Sequence, residues 1–388
     1  MKLVINSTTL YDAISTVTKV QSGKNMLPIL DCVLFQVKDG MLSLMCSDTE
    51  LFLIANVPLV EYDMNFRVAI PSKDLMTIKS IANQPITIEC VSIDENDWTK
   101  GMSCTLKYEN GQYDWHVMDG EEFPLPYMPE ESERQEKTIP LAYMLDGINH
   151  TKFAALNETD TIKPQMAGVY FDMQPYGMIT VASDGYKLAK VWYKDVKTEN
   201  PFNIVIINKA AKALSTILKK VEGVEEVDLI YSKQNFCLNM GAYTLYGRLP
   251  ELPYPNYNMV IPKEFNSSAV VSKNDILGAF SRVGQFADAT NEITLVLGKD
   301  MLDIIGKDSF ASRSAKERVG CEYEGQVIGI AVDYHYLAEV LNTMTEEDTV
   351  RFNIVDEKRP IIITPAEQDE NRDLLYLVMP RVTTGINS

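Results

Sequence analysis

Few residues of this chain stand where they could do covalent chemistry. It has three histidines, His116, His150 and His335, and none lies in H-E-x-x-H or another metal-ligand spacing. No G-x-S-x-G, P-loop or G-x-G-x-x-G fingerprint occurs. The six cysteines, Cys32, Cys46, Cys90, Cys104, Cys237 and Cys321, include no C-x-x-C pair. Reduced, partly buried thiols are therefore expected, with no metal and no cofactor. Acidic residues are plentiful, but a catalytic carboxylate pair needs a geometry that composition does not supply. Asp48 and Asp184 follow matched strand phrases, and Asp308 follows a third in a different setting. Aspartate bonds to backbone amides just ahead of it, so a turn or cap is expected of all three. The remaining chemistry is attraction of phosphate. In the window 208–223, Lys209, Lys212, Lys219 and Lys220 fall opposite the stripe Leu214, Ile217, Leu218 and Val221.

These side chains must be placed by a repeated unit. Three stretches, 2–20, 137–156 and 269–287, each run from a short strand into an amphipathic helix. Each is followed by a strand pair hinged on a similar phrase. These are Gly40-Met41-Leu42-Ser43-Leu44, Gly177-Met178-Ile179-Thr180-Val181 and Asp300-Met301-Leu302-Asp303-Ile304. Each copy closes on a second strand-to-helix passage, at 66–82, 202–221 and 327–344. A period of roughly 130 residues is too long for a solenoid and suits a globular domain. Period-two segments such as 33–37, 86–90, 227–231 and 361–364 read as strands. Two helices and roughly eight strands per copy make an α+β module with a large antiparallel sheet. The polar stretches 129–137 and 262–268 read as joints, which sets domains at 1–129, 137–262 and 268–388.

The net charge of −18 over 388 residues argues, alone, against a nucleic-acid partner. Its distribution says otherwise: the six helical windows sum to a small positive charge, so the rest is more acidic still. Such a surface attracts phosphate on one side and repels it elsewhere. No apolar run reaches the roughly 20 residues that span a bilayer. The start turns polar too early for a signal peptide, so a cytoplasmic location is expected.

Several phrases together resemble the bacterial sliding clamps, the β subunits of DNA polymerase III. They are Leu27-Pro28-Ile29-Leu30, residues 39–44, residues 181–189, Pro255-Asn256-Tyr257 with Val260-Ile261-Pro262, and Tyr376-Leu377-Val378-Met379-Pro380. The resemblance spans all three copies. It implies a non-catalytic homodimer, closed head to tail into a six-domain ring. Helices would line a hole around duplex DNA, bound without regard to sequence. The implied partners are the DNA polymerase III α subunit, the clamp loader, and other polymerases and repair factors carrying short linear motifs.

Carried over by position, the resemblance implies a peptide groove between the second and third domains. It would comprise Met166, Ser183, Gly185, Tyr186, Lys187, Leu188, Pro255, Met259, Val260, Leu377 and Met379. A shallower part would hold Asp333, Tyr336, Lys358, Pro360 and Arg381. Lys24, Lys73, Lys209 and Lys212 match DNA-contacting positions. The helix argument adds Lys152, Lys273 and Arg282. Tyr113 and Trp115 match an edge strand that closes the ring against Gln285 and Phe286. The competing reading is a peptide-binding scaffold of repeated α+β domains with no DNA in it.

Overall fold

Strands dominate because most apolar residues recur with period two, and each helix lays one buried stripe on a sheet. The computed structural model describes residues 1–23, 25, 27–92, 102–157 and 162–381. Packing divides the chain into two units, Met1–Leu145 with Lys212–Glu251, and Asp146–Ala211 with Leu252–Ser388. The first holds a 13-stranded sheet and the second a 12-stranded one. Two of the three cuts fall inside helices, Leu141–Thr151 and Asn208–Ile217.

The repeat is visible in strand order. In the second copy, Gln135–Pro140, Glu226–Tyr231, Asn235–Met240 and Tyr243–Arg248 lie side by side in that order. Phe202–Ile207, Gly168–Gln174, Gly177–Ser183 and Lys187–Tyr193 form its other half-sheet. The third copy repeats both orders. One is Ser267–Ser272, Thr349–Ile354, Ile361–Pro365, Arg372–Val378; the other is Ile328–Asp333, Glu292–Gly298, Met301–Asp308, Arg313–Glu324. So does the first, with Lys2–Asn6, Pro85–Ser92, Met102–Tyr108, Gly111–Asp119, and with Phe66–Pro71, Cys32–Lys38, Met41–Ser47, Phe52–Pro58.

Consecutive copies are sewn together by the last strands of these half-sheets. Phe52–Pro58 pairs antiparallel with Tyr243–Arg248, placing Phe52 opposite Tyr246. Lys187–Tyr193 pairs antiparallel with Arg372–Val378, placing Leu188 opposite Leu377. The two joins share a register, and each is underlain by an equivalent apolar cluster. Met45, Phe52 and Phe123 belong to one cluster, with Tyr246 packed against it; Val181, Leu188, Tyr257 and Leu377 belong to the other.

The helices obey their wheels. Leu10, Ile14 and Val17 are fully buried in helix Ser7–Val17, as are Leu214 and Ile217 in Asn208–Ile217. Asn6 caps the first helix by accepting from the Thr8 and Thr9 amides, a contact worth about 1 kcal/mol. All three aspartates make turns: Asp48 Oδ1 accepts from the Glu50 and Leu51 amides, Asp184 Oδ1 from Tyr186 and Lys187, and Asp308 Oδ1 from Phe310 and Ala311.

The expectation that all six cysteines are reduced is corrected. Cys90 and Cys104 form a disulfide across the pair Pro85–Ser92 and Met102–Tyr108. The register of that pair puts the two directly opposite each other, which a 14-residue spacing does not reveal without the hairpin. Cys32, Cys46, Cys237 and Cys321 are free.

Candidate functional site

The second join carries an apolar cavity, within the unit built from Asp146–Ala211 and Leu252–Ser388. The tight turn 183–188 shapes one wall. Gly185 sits there at φ +93°, a conformation open to glycine at no steric cost. The Ser183 hydroxyl donates to the Lys187 carbonyl and accepts from the Gly185 amide. The segment after Leu252 forms a second wall, and Leu377 and Met379 end the third. The cavity measures about 130 Å³ and is lined almost wholly by carbon. That gives room for an aliphatic side chain and little more.

Nine expected residues line it: Met166, Ser183, Gly185, Lys187, Leu188, Pro255, Val260, Leu377 and Met379. Tyr254, Asn256 and Tyr257 line it too and were not anticipated. The available signal was two tyrosines flanking Pro255. Tyr254 stacks on Tyr170 at 4.7 Å between ring centres, and burial pushes the Tyr170 hydroxyl up to about 12. Tyr186 and Met259 do not line the cavity; both lie exposed, 63% and 83%, beside residues that do. Lys187 is a wall rather than a free cation. Its ammonium reaches Glu339 at 2.5 Å and Asp184 at 3.5 Å and lies 4.8 Å from the Tyr336 ring centre.

The shallower set is only partly gathered. Asp333 caps helix Tyr334–Thr343 by accepting from the His335 amide, and it accepts from Arg381 Nη2 at 2.9 Å. Tyr336 stacks on Tyr186. Asp333, Tyr336 and Arg381 thus connect to the cavity wall. Lys358 lies in a turn held by Asp356, and Pro360 precedes Ile361–Pro365; neither lines the cavity.

The basic residues fare unevenly. Lys24 lies outside the described residues. Lys73 is exposed in the short helix Ser72–Leu75, and Lys212 is exposed on Asn208–Ile217 with Lys209 half-buried beside it. Lys152 donates to Asn149 Oδ1 at 2.8 Å. Arg282 makes a two-point ion pair with Glu317, both bonds 2.8 Å, so its charge is matched. Lys273 is corrected as a candidate. It is buried, and its ammonium donates to the Met344 carbonyl, because the first turn of its helix packs against the C-terminal end of helix Tyr334–Thr343.

Among the strands that keep an open edge in the described residues, two lie at or beside the expected interface residues. Residues 111–117 of Gly111–Asp119 pair only with Met102–Tyr108; the other side of the strand meets Phe66–Pro71 at residues 118 and 119 alone. Tyr113 and Trp115 lie there in a tilted aromatic row with Tyr108. Residues 313–320 of Arg313–Glu324 pair only with Met301–Asp308. Gln285 and Phe286 form the helical turn Gly284–Phe286 that packs against this strand, with Phe286 38% exposed.

Family models match the chain in three parts. The N-terminal domain of the DNA polymerase III beta subunit matches residues 1–127, the central domain residues 138–256, and the C-terminal domain residues 258–381. The chain belongs to the DNA polymerase III β subunit family, the bacterial sliding clamps. A Beta sliding clamp of Synechococcus elongatus is 27% identical over 98% of this chain and 99% of its own. One from Streptomyces coelicolor is 25% identical over 99% and 100%. The fold matches a sliding clamp of Pseudomonas aeruginosa solved with ligand, at a TM-score of 0.87, 23% identity, and coverage of 99% and 100%. A second Pseudomonas aeruginosa clamp, solved bound to griselimycin, matches at 0.87 with 22% identity and the same coverage. The beta subunit of Thermotoga maritima also matches at 0.87, with 21% identity and the same coverage.

Proposed function

We propose that this chain is a DNA sliding clamp that works as a head-to-tail homodimer around duplex DNA. The observation that carries the ring is the repeated join. Twice in the chain, the last strand of one half-sheet pairs with the last strand of the next copy's half-sheet. The strands that continue this series are 313–320 at one end and 111–117 at the other, and both keep an open edge. A second chain satisfies both at once. An unpaired edge bearing aromatics is otherwise a hazard for uncontrolled pairing. Tyr113 and Trp115 on one side and Gln285 and Phe286 on the other supply the contact.

On this reading the domains are 1–129, 137–262 and 268–388. Lys24, Lys73, Lys209, Lys212 and, more weakly, Lys152 and Arg282 face the DNA. Sparse positive charge attracts phosphates without reading bases, so the ring is held and still slides. No group on the protein needs to react, and the role is processivity rather than catalysis. The apolar cavity takes an aliphatic anchor from a linear motif of the polymerase α subunit, the clamp loader or a repair factor. Met166 and Met379 make its lining adaptable. Replication in the cytoplasm is the setting.

The test is retention on DNA. Loaded by the cognate clamp loader, the protein should stay on nicked circular duplex through gel filtration and leave when the circle is cut. Equal loss from circular and linear DNA would favour the scaffold reading.

A further inference from the structure

We propose that the first join carries a second peptide-docking groove, for an extended segment whose apolar anchor is flanked by lysine or arginine. The inference rests on reading the cavity of the second join as a peptide groove. Turn for turn, the first join is built the same way. Thr49 takes the place of Gly185 and holds φ +81°, against +93° for the glycine. The Thr49 amide donates to Ser47 Oγ, as the Gly185 amide does to Ser183 Oγ. Phe52 faces Tyr246 across the join, as Leu188 faces Leu377. By the same register Arg248 stands at the position of Met379.

A cavity of about 500 Å³ lies over this join, within the unit Met1–Leu145 with Lys212–Glu251. Phe52 and Tyr246 lie in its lining, and Leu125 and Tyr127 stand on its rim, 59% and 60% exposed. A non-glycine residue held at positive φ is uncommon, and here it keeps the turn in the shape that opens the groove of the second join.

The chemistry differs from the second groove, and the difference selects the ligand. Glu50 stands where Tyr186 stands in the other turn, and Glu251 adds a second carboxylate to the lining. The wall segment carrying Leu125 and Tyr127 is bracketed in sequence by exposed Glu122 on one side, beside Glu121 paired with Arg67, and by exposed Glu130, Glu131 and Glu133 on the other. Arg248 is the one cation in the lining. Phe52, Leu125, Tyr127 and Tyr246 give a mixed lining an apolar part, and with the carboxylates of Glu50 and Glu251 they complement an apolar anchor between basic residues.

The test uses two fluorescein-labelled peptides titrated by anisotropy against the full-length protein. One is cationic, Lys-Arg-Leu-Gly-Phe-Arg-Lys; the other is uncharged, Ser-Leu-Gly-Leu-Phe-Ser. Glu50→Lys with Glu251→Lys alters exposed positions of the first groove, and Val260→Asp alters an exposed position of the second. The proposal expects the double charge reversal to weaken the cationic peptide about tenfold or more, as when close charge pairs are reversed. Val260→Asp should leave that peptide unchanged and weaken the uncharged one. Replacing Leu and Phe of the cationic peptide by Gly should abolish its binding. Three results overturn the proposal: no saturable binding of the cationic peptide, sensitivity of that peptide to Val260→Asp alone, or undiminished binding after the Gly replacement. Failure of the uncharged peptide alone strikes the reading of the second groove, and the cationic titration still decides this one.

Discussion

Asp146 is a carboxylate held by three different side chains. It accepts from the Tyr193 hydroxyl at 2.6 Å, lies 3.4 Å from His150 Nε2, and meets Arg372 at 3.3 Å; Arg372 also reaches Glu346. Burial pushes its pKa up, but the hydrogen bonds from His150 and Tyr193 and the Arg372 charge outweigh this and hold it at about 2. A folded pKa below the unfolded one, about 3.9, adds stability above pH 4 that is lost as pH falls toward 2. Because the carboxylate is partly exposed, the contribution is about 1–2 kcal/mol after screening. Asp146→Asn should therefore lower stability in urea by about 1–3 kcal/mol at pH 7 and by much less near pH 2. An equal loss at both pH values would contradict the account. At the groove, Leu377→Ala enlarges the cavity and removes the contact under the anchor. Motif binding should weaken about tenfold to a hundredfold, in line with the roughly 1.5–3 kcal/mol for burying such a side chain. Calorimetric titration with a Leu- and Phe-bearing peptide measures this, and unchanged affinity would remove Leu377 from the site. The lining residues that were expected came from the resemblance, whose phrase 181–189 holds Ser183, Gly185 and Leu188. Tyr254 and Tyr257 were not expected, since only the folded loop brings them over Tyr170 and Leu377.

At the scale of elements, strand and helix identities followed from period and wheel, while pairing did not. Nothing in residues 85–108 announces that Cys90 faces Cys104, because register is set by the whole hairpin. Lys273 was expected to face DNA from its helix, yet the start of that helix packs against the C-terminal end of helix Tyr334–Thr343 at Met344. The open edges were half legible: Tyr113 and Trp115 suggested one, but 313–320 emerged only from the strand order. That strand pairs along residues 313–320 with one neighbour, and its basic residues are matched internally, Arg318 and Lys316 to Asp303. Its exposed backbone is therefore what a partner strand would take up. Trp115→Asp with Phe286→Asp places carboxylates beside both edges. The double variant should sediment as a monomer with unaltered far-ultraviolet dichroism; a dimer that persists would refute this interface.

For the whole molecule, an acidic chain that nonetheless holds DNA must concentrate its few attractive contacts. Lys73→Glu with Lys212→Glu should reduce the slope of log affinity against log salt by about 2, from the roughly 0.9 expected per neutralised phosphate. A salt slope equal to wild type would place both lysines away from the duplex. The repeat explains why one chain suffices to specify a ring: the join that appears twice within it is left open once at each end. The most direct test of that claim is molar mass in solution by light scattering across a range of concentrations. The account predicts a mass twice that of the chain, collapsing to one chain for Trp115→Asp with Phe286→Asp. A single-chain mass for the wild type at micromolar concentration would contradict it, because an open arc cannot hold DNA by topology.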